Sequence, residues 1–291
     1  MNPFTSTYTS NHSDEDLVKL ILEGDKKALN MLIDRHQPFI YNIAWKMIGD
    51  PMNAEDLTQE ALLKIIANLG SFKHESSFRT WAYKIVRNHF INDTKKPSPI
   101  FASNFEELGD RLDIIENIEL SAEDQMAKAD EIREVRLQCL SGMLLCLTKE
   151  QRVLYIVGEI FGADHNIGSE IMGISKANYR MKLSKARKDL QHFMNHKCGL
   201  VNKSNPCRCH KKVSIALEKG MVNAKDLLFN KKEFSTFRET LGQDANSMIE
   251  ESEMIYTELH RDNSFKVNFD KKNFIANLLE SDDWKARLYI N

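Results

Sequence analysis

Among the 291 residues no apolar run approaches the roughly 18 to 20 needed to span a bilayer, so no membrane insertion is expected. The opening MNPFTSTYTSNHSDED has neither a basic n-region nor an apolar h-region. It predicts a short disordered arm over residues 1–13 rather than a secretory signal. Cysteine is scarce, five residues in all, and an odd number fits a reducing cytoplasm better than a disulfide framework. There is no Walker-type glycine loop, no H-E-x-x-H and no nucleophile elbow, so no enzyme is expected. No segment reads strongly as a β-strand, and no internal repeat is evident. A dominant charge sign is missing too. With 40 Lys and Arg against 42 Asp and Glu, the net charge of −2 argues against a generic nucleic-acid binder.

The charge is nevertheless segregated. Residues 72–96 hold six Lys/Arg against two acids, residues 176–188 six against none, and residues 195–213 five against none. Residues 106–134 hold eleven acids against three bases. Basic blocks of this kind are the electrostatic footprint of phosphate binding.

Almost every periodic segment has helical spacing. Leu17, Leu20, Ile21, Ala28, Leu29, Leu32 and Ile33 mark the first helices, entered through Ser13 with Asp16 three residues on. Gly49, Asp50 and Pro51 stop the pattern, and Asn53 is the expected cap of a helix from Ala54 to about Leu69. A loop from Gly70 to Ser77 leads to a helix from Phe78 to about Thr94, ended by Pro97 and Pro99. Residues 97–134 read as an acidic linker with at most one short helix. Thr148 with Gln151 forms a capping-box pattern. Beyond residue 213, helical patterns recur around Ala224–Phe229, Met248–Leu259 and Phe274–Leu288.

On the Ala54–Leu69 helix, Ala54, Leu57, Ala61, Ile65 and Leu69 form the buried stripe, while Asp56, Gln59 and Glu60 share another facet. On the next helix Phe78, Trp81, Ala82, Ile85 and Phe90 repeat with helical period, with Lys84, Arg87 and Asn88 opposite. Phe78 and Trp81 suit either a core or a platform on which single-stranded bases stack. The loop Ser71-Phe72-Lys73-His74-Glu75-Ser76-Ser77 supplies small polar side chains able to enclose an unstacked base.

These residues carry a resemblance. Asp56-Leu57-Thr58-Gln59-Glu60 resembles the D-L-x-Q-E polymerase contact of bacterial sigma factors, in the extracytoplasmic-function (ECF) group. Ser77-Phe78-Arg79-Thr80-Trp81-Ala82-Tyr83-Lys84-Ile85-Val86-Arg87-Asn88 resembles that family's S-F-x-T-W-L-x-x-I-x-x-N signature. The resemblance implies that Asn53, Asp56, Gln59 and Glu60 bind core RNA polymerase at the β′ clamp coiled coil. It implies that Lys73, His74, Ser76, Ser77, Phe78, Arg79, Trp81, Lys84, Arg87 and Asn88 read and help melt the promoter −10 element.

A second segment extends the resemblance. Leu147-Thr148-Lys149-Glu150-Gln151-Arg152 resembles the family's entry to region 4, a helix-turn-helix. Met172-Gly173-Ile174-Ser175 supplies the turn, with Ser175 as N-cap of the recognition helix. The implied −35 contacts are Ser175, Lys176, Asn178, Arg180, Lys182, Lys185 and Arg187, with the polymerase β flap as a further partner. Gly168 and Ser169 stand where the family carries a buried Ile and Ala, and Asn178-Tyr179 where Thr-Val is usual. A weakly formed or shifted first helix is therefore expected, because Gly inside a helix costs about 1 kcal/mol relative to Ala.

The fold expected is all-α: a region 2 bundle over 14–96, the flexible acidic linker over 97–134 and a region 4 domain over 135–195. A basic Cys-rich segment over 196–213 and a mostly helical extension over 214–291 follow. The function implied is a cytoplasmic sigma factor that places polymerase on promoters and is open to control by an anti-sigma factor. Cys198, Cys207, Cys209 and His210 form a candidate zinc shell or a redox-sensing cluster, since nearby positive charge favours the thiolate. No cofactor is otherwise required. The alternatives are a polymerase-independent helix-turn-helix regulator and a metal- or redox-responsive sigma-like regulator.

Overall fold

The computed structural model describes Phe4 and residues 12–93, 97, 99–228 and 269–281. The rest of the expected N-terminal arm, the Met248–Leu259 pattern and the last part of the Phe274–Leu288 pattern lie outside the described residues. Among the described residues every regular element is helical, and the one strand-like pairing is an isolated bridge between Cys198 and Cys207. By contact the chain forms two units. One comprises Met1–Lys96, Ile156–Met181 and Val267–Asn291, the other Pro97–Tyr155 and Lys182–Lys266.

In the first unit, α1 (Asp14–Leu22) opens with the expected box: the Asp16 amide donates to Ser13 Oγ at 3.0 Å, and the Ser13 amide donates to the Asp16 carboxylate at 2.9 Å. Asp25 caps α2 (Lys26–Ile48), which ends on Gly49 at a left-handed φ of 68°. The next boundary differs from expectation. Pro51 is the first residue of α3 (Pro51–Ala67), and Asp50 is its cap, accepting the Asn53 amide at 2.8 Å. Proline suits this place because its ring presets φ and its missing N–H would be unsatisfied there anyway. Asn53 therefore sits inside the first turn and donates its side-chain amide to Asp50 at 2.9 Å.

The stripe of α3 packs as expected: Ala54, Leu57, Ala61, Ile65 and the following Leu69 are all buried. Ser77 caps α4 (Phe78–Asn92), whose Phe78, Ala82, Val86 and Phe90 complete the core with Leu29, Ile33, Ile40 and Ile43 of α2. A π-helical turn (Ile156–Ile160) is followed by Phe161, which meets Phe39 and Tyr83 edge-on at 6.0 and 6.1 Å. Then α9 (His165–Met172) packs on α4.

The glycine in α9 has a physical reason. A Cβ on Gly168 would lie 2.2 Å from the Tyr179 ring, and Tyr179 is only 1% exposed. The unusual Gly and the unusual Tyr are two halves of one contact, and α9 is formed in place. We expect Gly168→Ala to destabilise this unit by about 1–3 kcal/mol, the range for overpacking, even after the helix-propensity gain from alanine. Tyr179→Val added to that variant should recover most of the loss in urea unfolding. A double variant no better than the single one would break the pairing argument.

In the second unit, α5 (Phe105–Ile114), α6 (Ala122–Ala127) and the start of α7 (Ala129–Leu145) occupy the stretch expected to be a flexible linker. The reason is charge. Lys197 pairs with Asp113 at 2.5 Å, Lys211 with Glu119, and Lys212 donates to the carbonyls of Leu112, at 2.9 Å, and Ile115. The acidic block thus partners Lys197, Lys211 and Lys212 of the basic Cys segment. Buried Arg152 of α8 (Lys149–Tyr155) closes the end of α7 by donating to the carbonyls of Leu144, Leu145 and Leu147 at 2.7–2.9 Å. The Thr148 box forms, with the Gln151 amide 3.3 Å from Thr148 Oγ1. Finally α11 (Cys209–Glu218) packs on α7, joining Leu137 to Ala216, Val222 and Leu227.

Candidate functional site

The first turn of α1 holds the start of α4. The Phe78 amide donates to Glu15 Oε1 at 2.9 Å, and Arg79 Nε donates to Asp14 Oδ2 at 2.8 Å. Arg35 meets the other Asp14 oxygen at 2.8 Å, and His36 Nε2 lies 3.4 Å from the carboxylate. Burial alone would raise the Asp14 carboxyl, but hydrogen bonds and charge from His36, with Arg79 and Arg35, outweigh it and hold the group well below the ordinary carboxylate range. Sequence reasoning missed Asp14, Glu15, Arg35 and His36. The available signal was Arg35-His36 within the apolar stretch of α2, where charged side chains need buried partners.

This anchor positions the loop ahead of α4. Phe72 is buried, with its ring 5.6 Å from Phe78, 5.3 Å from Trp81 and 4.4 Å from His74. His74 adopts a left-handed φ of 58°, and Lys73, His74 and Ser77 are exposed, with Ser76 half-buried. Trp81 is half-buried at the rim of a groove of about 530 Å³ between α3 and α4. Glu60, Lys64, Ile85, Asn88 and His89 share its lining. Lys64 Nζ lies 2.7 Å from His89 Nδ1, and the Glu60 carboxylate 3.5 Å from His89 Nε2.

On α3, Asp56 and Glu60 are exposed, and Asn53 and Gln59 half-buried, along one facet. Of the residues assigned to the −10 element, the structure brings Trp81 and Asn88 to the groove and leaves Lys84 exposed. Three others are engaged internally. Phe78 is 0% exposed and belongs to the core; Arg79 is held by Asp14; and Arg87 donates to the Met172 carbonyl at the end of α9.

The turn before α10 (Lys176–Lys197) forms as expected, with Gly173 at φ 62° and the Asn178 amide 3.2 Å from Ser175 Oγ. Lys176, Asn178 and Arg180 are exposed in its first two turns. Farther along, Lys182 pairs with Glu150 at 2.7 Å and Lys185 with Asp189 at 3.0 Å, while Arg187 is half-buried. Exposed pairs of this kind are worth about 0–1 kcal/mol, so they yield readily to a phosphate.

The cysteine segment differs from expectation. Burial pushes the Cys209 thiol up to about 12 and raises Cys207 as well, outweighing the nearby Arg136, Lys212 and Arg208, so positive charge does not produce a thiolate there. The His210 ring lies 4.0 Å from Glu119. Among the described residues no group of three or more His, Cys, Asp or Glu is arranged to hold a metal ion. Nor is any described helix long and apolar enough to cross a membrane.

Residues 32–98 match the family model for sigma-70 region 2, which takes in most of α2, all of α3 and α4 and the loop between them. The RNA polymerase sigma-H factor of Pseudomonas aeruginosa is 33% identical over 88 residues, 29% of this chain and 46% of that protein. The chain thus spans about half the length of that relative. The ECF RNA polymerase sigma-E factor of Escherichia coli strain K12 is 26% identical over 191 residues, 62% of this chain and 93% of that protein. Among solved structures, the sigma factor RpoE in complex with the anti-sigma factor NepR from Bartonella quintana superposes with a TM-score of 0.40 at 20% identity, covering 58% of this chain and 98% of that one. Residues 32–98 thus carry a sigma-70 region 2, and over 62% of its length the chain is similar to an ECF sigma factor of RNA polymerase.

Proposed function

We propose that the chain associates with core RNA polymerase and directs it to promoters as a cytoplasmic, non-catalytic specificity subunit. The observation that carries this is the pairing of two surfaces within 32–98. An exposed acidic facet at Asp56 and Glu60 of α3 adjoins a groove that presents Trp81 and Asn88 of α4. Exposed carboxylates on one helix face steer association with a basic partner. An aromatic edge beside a polar amide suits a base that has left its stack, since base–aromatic stacking is worth about 1–3 kcal/mol.

In this proposal Asn53, Asp56, Gln59 and Glu60 meet the β′ clamp coiled coil. The anchored loop with Trp81, Lys84 and Asn88 receives the opened −10 strand. Lys176, Asn178 and Arg180, exposed at the start of α10, serve the −35 element in this reading, because a recognition helix offers its N-terminal residues to base edges. An anti-sigma protein is a further expected partner. No cofactor is needed.

The test mixes the full chain with purified core polymerase and a library of promoter fragments. Stable association and promoter-dependent transcripts are expected. DNA binding without association with core would sink the proposal in favour of a free-standing regulator.

A further inference from the structure

The acidic facet of α3 is not bare along its whole length. In the same unit, α12 (Lys271–Glu280) of the C-terminal extension lies beside it. Gln59 and Leu63, one helical turn apart on α3, line a cavity of about 370 Å³ together with Asn273, Phe274, Asn277 and Leu278 of α12. Phe274, Ile275 and Leu278 are buried, so the apolar side of α12 is turned inward. At the near end of the helix Lys271 forms an ion pair with Asp34 of α2. At Gln59 the facet assigned above to polymerase is therefore faced across this cavity by a helix of the same chain.

We propose that α12 covers the polymerase-binding facet in the free protein and competes with core polymerase for it. The inference rests on the assignment of the α3 facet made under the proposed function. Its physical basis is mutual exclusion: the space in front of Gln59 and Leu63, bounded on its far side by α12, cannot hold both α12 and a clamp helix at once.

The contact is built to be displaced. A helix of ten residues is too short to persist by itself in water, so α12 owes its form to this surface and loses it on release. The cavity left between the two helices means that their apolar side chains forgo part of their packing attraction. The ion pair joins two partly exposed side chains and contributes little. Docking of this kind is weak, and weak docking suits a plug that a large partner can expel. If the covered form is nine in ten of the free molecules, apparent affinity for core polymerase is reduced about tenfold, because only the uncovered fraction binds.

The test uses the full chain, with Phe274→Ser and Leu278→Asp to unseat the helix, and measures equilibrium association with purified core polymerase. Association about tenfold tighter than wild type is expected, together with loss of hydrogen-exchange protection in α12 alone. Asp56→Arg with Glu60→Arg runs alongside. If that charge reversal abolishes association while the α12 variant binds no more tightly than wild type, the facet stands and the plug is overturned. If the charge reversal leaves association intact, the facet itself is misassigned and the competition falls with it. A second measurement guards against a variant that unfolds α2 and α3. In the wild-type chain, adding core polymerase should expose the α12 amides, and amides that stay protected in the complex overturn the inference.

Discussion

Asp56→Arg with Glu60→Arg is expected to reduce association with core polymerase by more than about 100-fold, equivalent to about 2.7 kcal/mol. Two effects combine. The variant removes two exposed carboxylates from one facet and sets two cations against the basic partner that those carboxylates would attract, and like charges facing each other across an interface cost several kcal/mol. The fold should be spared. Both side chains are exposed, and the contact of Glu60 with His89, at 3.5 Å, is a loose one. Exposed substitutions of this kind usually shift stability by within about 0.5 kcal/mol. The measurements are a salt titration of binding and a urea unfolding curve. Binding that survives the change with a normal unfolding curve would remove this facet from the interface.

Asp14→Asn should have the largest effect on stability, a loss of about 3–5 kcal/mol, because it takes the carboxylate away from buried Arg35 and from Arg79. The pH dependence follows with a definite sign. The folded-state value of Asp14 lies below the ordinary one, so the folded protein holds the ionised form more firmly than the unfolded chain does. The stability it contributes is present in full above the unfolded value of about 3.9 and is lost as pH falls from there through the folded value. Wild-type unfolding should therefore be flat in this contribution near neutrality and weaken steeply below about pH 4. The Asn variant should start lower and show a shallower acid limb. Equal acid limbs in the two proteins would show that Asp14 is not the group responsible. Since Asp14 and Glu15 hold the start of α4, the loop at 72–77 should also exchange its amides faster in the variant.

What the sequence disclosed was local. Ser13 with Asp16, Thr148 with Gln151 and the turn at Gly173 and Ser175 could be read directly, because caps act over three or four residues. The stripe of α3 followed from period alone. Asn53 is not the cap but lies inside the first turn, since Asp50 competes for the same role and Pro51 decides in its favour. The anchor of α4 joins Asp14 to Arg79 and Glu15 to Phe78 across more than sixty positions, and no pattern within a window exposes such a pair. Separation also concealed the order in residues 97–134: an acidic run looks like a solvated linker until its basic partners at Lys197, Lys211 and Lys212 are brought beside it. The partner of α3 in the extension was hidden for the same reason. Phe274 and Leu278 show a helical face, but nothing near them says what it covers.

The contact between Gly168 and Tyr179 also sets a direction for change. A chain with alanine and tyrosine has a clash of 2.2 Å inside a buried contact, whereas one with glycine and a smaller side chain at 179 has only a void. Voids are tolerated at graded cost, while forced overlap displaces the helix itself. Lineages that leave this pair must therefore shrink position 179 before they enlarge position 168, and those that acquire it must clear position 168 first. The two sites are thus joined by one route, through glycine at 168 with a small side chain at 179, so a homologue with the ring but not the glycine is expected to have moved α9 away from α10.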